Sequence, residues 1–195
     1  MKYRSDSHVA RRLVRGIAPV ITLFALLAPL STMAAEPPKV GETAPDFELK
    51  ALDDSTVKLS ALTKNGTVVL VVLRGFPGYQ CPLCTKQVGD LIGKAKQFEA
   101  AKAQVVMVYP GDAEGLKPHA EEFIKNKNMP KSYRLVVDPD YQFLEKYGLR
   151  WNAPSETSYP STFVIDRKRK VLFAKVSKSH GDRARTADIQ KAMPK

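Results

Sequence analysis

Between Thr67 and Leu73 the chain reads TVVLVVL, apolar at every position after the first. A strand with one wet face alternates apolar and polar residues; this one cannot, so it has to be buried on both sides. Only a sheet covered above and below offers such a place. QVVMVYP, Gln104 to Pro110, and RLVVDPD, Arg134 to Asp140, repeat the requirement.

The segments between these strands have helical spacing. Val88, Leu91, Ile92, Ala95 and Phe98 predict a helix from about Cys81 or Pro82 to Ala103. Leu116, Ala120, Phe123 and Ile124 predict another, and YQFLEKYG a short one stopped by Gly148. Upstream, DFELKAL and TVKL flank a turn at Asp53-Asp54-Ser55 and read as a β-hairpin. Downstream, STFVID and VLFAKV flank RKRK, Arg167 to Lys170, as an antiparallel pair, and TADIQKAM closes the chain as a helix. The predicted order is hairpin, β, α, β, α, β, α, β, β, α. It defines an α/β fold with a central mixed sheet flanked by helices and carrying an N-terminal β-hairpin.

The first 35 residues stand apart. Lys2, Arg4, Arg11, Arg12 and Arg15 precede IAPVITLFALLAPL, an apolar run too short to span a bilayer comfortably and interrupted by Pro19 and Pro29. Small residues suited to cleavage follow at Ala34 and Ala35. This is the pattern of an export signal over 1–35, with a single domain over 36–195. The protein is therefore expected to be exported, periplasmic if its source is a Gram-negative bacterium, and to touch membrane only through the signal segment. After the leader, 26 basic and 19 acidic residues remain, a net charge of +7. The basic residues are scattered and the one dense run, Arg167 to Lys170, reads as a solvated hairpin turn, so nucleic-acid binding is not expected.

Cys81 and Cys84, the two cysteines of the chain, lie in RGFPGYQCPLCTKQ, where the Val-rich strand hands over to a helix. A helix start presents unpaired N–H groups and partial positive charge, which stabilise a thiolate. Pro82 suits a first helical turn, and the spacing brings the sulfurs within bonding reach of each other. Zinc would need two further ligands, and only His119 and His180 remain outside the leader, each isolated. Covalent haem would need His after Cys84, where Thr85 stands. A permanent disulfide across one turn would close too small a loop to restrain the unfolded chain much. Redox exchange is the main reading, with an inert structural disulfide in a non-catalytic binding module as the alternative.

VGETAPDFELKALDDSTVKLSAL, LRGFPGYQCPLCTKQ, VVDPDYQFLEKYGL and YPSTFVID, in that order from Val40 to about Val176, resemble the peroxiredoxin-like redoxins. These form the alkyl hydroperoxide reductase/thiol-specific antioxidant family of the thioredoxin-like superfamily. The resemblance implies a thioredoxin-like fold and an antioxidant, thiol-dependent oxidoreductase. Its substrate would be a hydroperoxide or a protein disulfide, and an external thiol would reduce it; no cofactor is expected. Peroxiredoxins carry Pro-x-x-x-Thr-x-x-Cys around the attacking cysteine. Pro77 and Cys84 match that motif, but Cys81 replaces the threonine, which creates a thioredoxin-type CxxC whose first cysteine would attack. Tyr159-Pro160 stands near the late strand, where peroxiredoxins place a peroxide-holding arginine. Pro160 resembles the thioredoxin cis-proline and, if cis, would position substrate. Gln80 occupies the thioredoxin tryptophan position. Arg74, at the strand end, is read either as a group that stabilises a thiolate or polarises peroxide, or as a surface arginine. Tyr79 is expected to pack, Trp151 to sit in the core or at its rim, Asp46 and Asp138 to cap or turn, and His180 to be a loop residue.

Overall fold

The Val-rich run forms strand β3, Thr67–Val72, all of whose residues are buried. The computed structural model describes residue 1 and residues 35–194, so the expected leader lies outside the described residues apart from its two ends. β3 pairs in parallel with β4, Ala103–Gly111, and antiparallel with β6, Ser161–Ile165. β4 pairs in parallel with β5, Tyr133–Pro139, and β6 antiparallel with β7, Val171–Val176. The hairpin of β1, Glu48–Ala51, and β2, Thr56–Lys58, joins through β1 onto the far side of β5. The result is one seven-stranded mixed sheet in the order β2-β1-β5-β4-β3-β6-β7.

Alternation along β3 feeds two cores. Val69, Val71 and Leu73 pack with residues of three helices: α2, Pro82–Gly93, α3, Ala95–Ala100, and α4, Leu116–Ile124. Val68, Leu70 and Val72 face the opposite way. They pack with Leu59 of helix α1, Leu59–Asn65, and with Phe143 and Leu144 of α5, Gln142–Lys146. Each such fully buried side chain contributes roughly 1.5–3 kcal/mol, so the sheet is held from both sides as the double apolarity requires. The last helix, α6, Thr186–Lys191, adds Ile189 to the first core. RKRK lies at the β6–β7 turn, where the Asp166 carboxylate accepts the N–H groups of Lys168 and Lys170, both at 2.8 Å.

Two elements differ from expectation. The long helix predicted to Ala103 breaks after Gly93: the Lys94 N–H bonds the Leu91 carbonyl and a second helix starts at Ala95. Glycine is a poor helix former, so the break falls beside it, while Phe98 stays on the apolar face. Helix α1 was not expected at all. Its first turn is closed by Asp46, whose Oδ1 accepts the Ser60 N–H at 2.8 Å from 14 residues upstream.

Candidate active site

At the end of β3 the chain turns through Gly75, whose φ of +71° puts it in the left-handed region. An added Cβ there would collide with the Pro110 carbonyl oxygen, and the Phe76 N–H bonds that same oxygen at 3.1 Å. The loop is thus pinned to the end of β4. Gln80 pins its other side: it accepts from the Tyr109 hydroxyl at 2.9 Å and donates to the His119 carbonyl at 2.8 Å. Cys81 follows as the N-cap of α2, with Pro82 in the first turn.

Both thiols are free and buried, Cys81 at 3% exposure and Cys84 at 1%. The Cys81 sulfur accepts the Cys84 backbone N–H at 3.2 Å, as an N-cap side chain does. The Cys84 sulfur receives the Arg74 N–H at 3.4 Å. Between them, the Arg183 guanidinium approaches Cys84 Sγ at 3.5 Å and Cys81 Sγ at 3.7 Å. These contacts separate the two thiols chemically. The side chain and N–H of Cys84, with Arg183 and Arg74 adding positive charge, outweigh burial and bring Cys81 down from 9.0 to about 6. Burial, and the negative charge of Cys81 beside it, push Cys84 well above its ordinary value. These contacts favour the thiolate on Cys81 and the proton on Cys84.

Further hydrogen bonds set Arg183 in place. Its Nε donates to the His180 carbonyl at 2.8 Å and its Nη1 to Gln87 at 2.7 Å. The His180 ring meets the Glu156 carboxylate at 2.9 Å, and Glu156 also pairs with Arg74 Nε at 3.1 Å. Glu156 therefore ties the strand end to the loop that carries Arg183.

Several sequence expectations are refined by this arrangement. Arg74 is not a surface arginine; it is 3% exposed. Its guanidinium is taken up by Glu156, the Ser155 carbonyl and the Tyr79 hydroxyl, so its backbone rather than its side chain bonds a sulfur. Tyr79 is 49% exposed and holds Arg74 instead of packing in the core. Pro77 is half-buried and lines a separate cavity of about 500 Å³ with Phe76, His119 and Glu156. Pro160 is buried and its carbonyl accepts the Ser177 N–H at 3.0 Å. The peptide bonds of the described residues are trans, so Pro160 is not a cis-proline wall. Trp151 is a half-buried rim aromatic stacked on Tyr159, and Asp138 caps α5, accepting the Phe143 and Leu144 N–H groups.

Arg183 and Glu156 were not singled out from sequence. Neither lies in a motif, and Arg183 reaches the sulfurs across about a hundred residues of chain. Arg183 ends the stretch KSHGDR, Lys178 to Arg183, whose one usable sign was a cation in a loop just ahead of a helix.

Comparison with known proteins places the chain in a family. The profile described as the AhpC/TSA family matches residues 40–174. The chain is 27% identical over 140 residues to peroxiredoxin Bcp of Bacillus subtilis, covering 69% of this chain and 82% of that one. The crystal structure of peroxidoxin BcpB from Mycobacterium tuberculosis superposes with a TM-score of 0.62 at 27% identity, over 80% of this chain and 96% of that one. A protein from Chlorobium tepidum described as a thiol:disulfide interchange protein, DsbE, superposes at 0.56 and 27% identity, over 78% and 92% of the two chains.

Proposed function

Because this chain belongs to the AhpC/TSA family, and is an oxidoreductase of the thiol-dependent kind, we propose that it is an exported thiol peroxidase in which Cys81 attacks and Cys84 resolves. The observation that carries this reading is the geometry of the pair: at the helix start the Cys81 sulfur accepts the Cys84 N–H at 3.2 Å and lies 3.7 Å from Arg183, contacts that lower its pKa, while burial raises that of Cys84. The Cys81 thiolate attacks one oxygen of a hydroperoxide. The O–O bond breaks, the departing alkoxide or hydroxide takes a proton from water, and Cys81 becomes a sulfenic acid. The Cys84 sulfur then attacks that sulfur, its proton leaves with the sulfenic hydroxyl as water, and the Cys81–Cys84 disulfide forms. An external thiol returns the pair to the reduced state. Arg183 stands where it offsets negative charge on either sulfur. It thereby takes over electrostatic work for which Tyr159-Pro160 has no cation.

The structural similarity to the Chlorobium protein supports a second reading, reduction of protein disulfides through the same two atoms. There Cys81 attacks the partner's disulfide, a mixed disulfide forms, and Cys84 releases it. Stopped-flow mixing of the reduced protein with hydrogen peroxide separates the two. Fast loss of both thiols, well ahead of insulin reduction, is expected; sluggish loss with quick insulin reduction would replace the peroxidase by the reductase. Export rests on the basic leader, the short apolar run and the small residues at Ala34 and Ala35. Amino-terminal sequencing of the protein from its native host is expected to begin at Ala35 or Glu36, and a chain starting at Met1 overturns it.

A further inference from the structure

A groove of about 610 Å³ runs along α2 on the side of the dithiol covered by the loop before α6. Arg183 is part of its wall and, through Nη2, also touches both sulfurs. One side chain thus borders the groove and the reacting pair. The rest of the ionic lining is lopsided. Lys86, Lys94 and Arg185 stand with Arg183 against a single carboxylate, Asp90. Arg185 is engaged by Asp188 at 2.8 Å. Lys86 and Lys94 form no ion pair among the described residues, although Asp90 lies four residues from each. The volume falls within the roughly 300–1,000 Å³ range of small-molecule sites, and the lining is cationic where a hydroperoxide has no charge to recognise.

We infer that this groove is the docking site for the electron donor, and that the donor is a small thiol bearing carboxylates. The inference rests on the proposed disulfide cycle and adds to it the chemical class of the reductant. A reductant has to arrive as a thiolate, and fixed positive charge beside its approach path both attracts it and favours its ionised sulfur. Its carboxylates meet Lys86 and Lys94 along α2. Its sulfur reaches the dithiol past Arg183. The donor thiolate attacks Cys81 Sγ; the Cys81–Cys84 bond breaks, the electron pair leaves on Cys84, and Cys84 takes up a proton. A second donor thiolate attacks the donor sulfur of the mixed disulfide. Cys81 departs as its thiolate, and the donor is released as its own disulfide, two electrons having passed to the protein.

The test uses the protein oxidised by hydrogen peroxide, or by diamide if peroxide is ineffective. Reduction is followed with glutathione, with 2-mercaptoethanol as a neutral thiol and with cysteamine as a cationic one, each rate corrected for thiolate fraction. Glutathione is expected to saturate and to show a kcat/KM about tenfold above the neutral thiol at low salt, shrinking as salt is raised. The double charge reversal Lys86→Glu/Lys94→Glu is expected to remove that preference through KM, with the 2-mercaptoethanol rate within about twofold of the parent. S-methylglutathione, which cannot exchange, is expected to bind the reduced protein in calorimetry and to lose binding in the double variant. Equal corrected rates for the three thiols together with no binding of S-methylglutathione overturn the inference. A preference for a protein reductant with no binding of S-methylglutathione does so as well. If no oxidant yields a Cys81–Cys84 disulfide, the proposed cycle fails, and calorimetry alone then decides the groove.

Discussion

Cys81 and Asp138 occupy comparable places. Each stands ahead of a helix near the carboxyl end of a parallel strand, each is buried, and each accepts from backbone N–H of the helix that follows, Cys81 from one residue and Asp138 from two. Their acidities nevertheless move in opposite directions: the thiol falls from 9.0 to about 6 and the carboxyl rises from 3.8 to about 6. Burial raises both. At Asp138 it outweighs the Phe143 and Leu144 N–H donors, and Asp140 and Glu145 add like charge. At Cys81 the Cys84 thiol and N–H, with Arg183 and Arg74, outweigh it. A helix start is therefore not by itself an activating device. It becomes one where a second proton donor and fixed cations reach the same atom, as the Cys84 thiol, Arg74 and Arg183 do at Cys81.

The largest expected effect tests whether the activated atom is the one that reacts. Cys81→Ser should slow peroxide consumption by at least about a thousandfold, because a hydroxyl replaces the thiolate nucleophile. Cys84→Ser should keep the first step and accumulate a sulfenic acid on Cys81, detectable with dimedone by mass spectrometry. The peroxiredoxin motif places its attacking cysteine at Cys84, so the reverse result, a dimedone adduct on Cys84 in Cys81→Ser, would make motif position rather than local electrostatics the better guide.

That conflict shows what a linear reading can and cannot reach. β3 was legible because apolarity on both faces leaves one place for it, and the CxxC because its spacing matches one helical turn. Asp138 was legible as a cap because its partners lie five and six residues away. Helix α1 escaped because Asp46, which closes its start, is 14 residues upstream and across the hairpin. The break at Gly93 leaves the apolar spacing intact, so the pattern ran through it. Arg183, Glu156 and the true role of Tyr79 were out of reach for one reason. Each is defined by a tertiary contact, and the chemistry of Cys81 is decided by those contacts.

The middle-sized effect lies at the other member of the pair. Asp138→Ala leaves two buried N–H groups without their acceptor and should cost about 1–3 kcal/mol in urea unfolding at pH 7. Asp138→Asn isolates the titration. The folded-state value lies above the unfolded one, so its contribution to stability is fully present below about pH 4 and is lost as pH rises through about 6. A shift of this size corresponds to an order of 2–3 kcal/mol. Unfolding at pH 4, 5, 6 and 7 should show the parent losing stability relative to Asp138→Asn across that window. A relative gain instead would mean that the helix start wins at Asp138 too, and the contrast with Cys81 would vanish.

The smallest effect is the most specific, because it asks how much of the contrast belongs to Arg183. An opposite charge within about 4–6 Å lowers the pKa of an acid by about one unit or more, so Arg183→Gln should move Cys81 from about 6 toward 7. At pH 6 the thiolate fraction, and with it the rate of iodoacetamide alkylation, should fall about fivefold; at pH 8 the two proteins should be nearly equal. Arg183→Lys should recover part of the difference, since it returns the charge without the planar fork. Gln87→Ala, which removes a partner of Arg183 but no charge, controls for disturbance of the loop and should shift the midpoint less. A rate profile that still turns at about pH 6 in Arg183→Gln would assign the low pKa to the Cys84 contacts and Arg74. The difference between the two helix starts would then rest on the contacts that Cys84 supplies to Cys81 and that have no counterpart at Asp138.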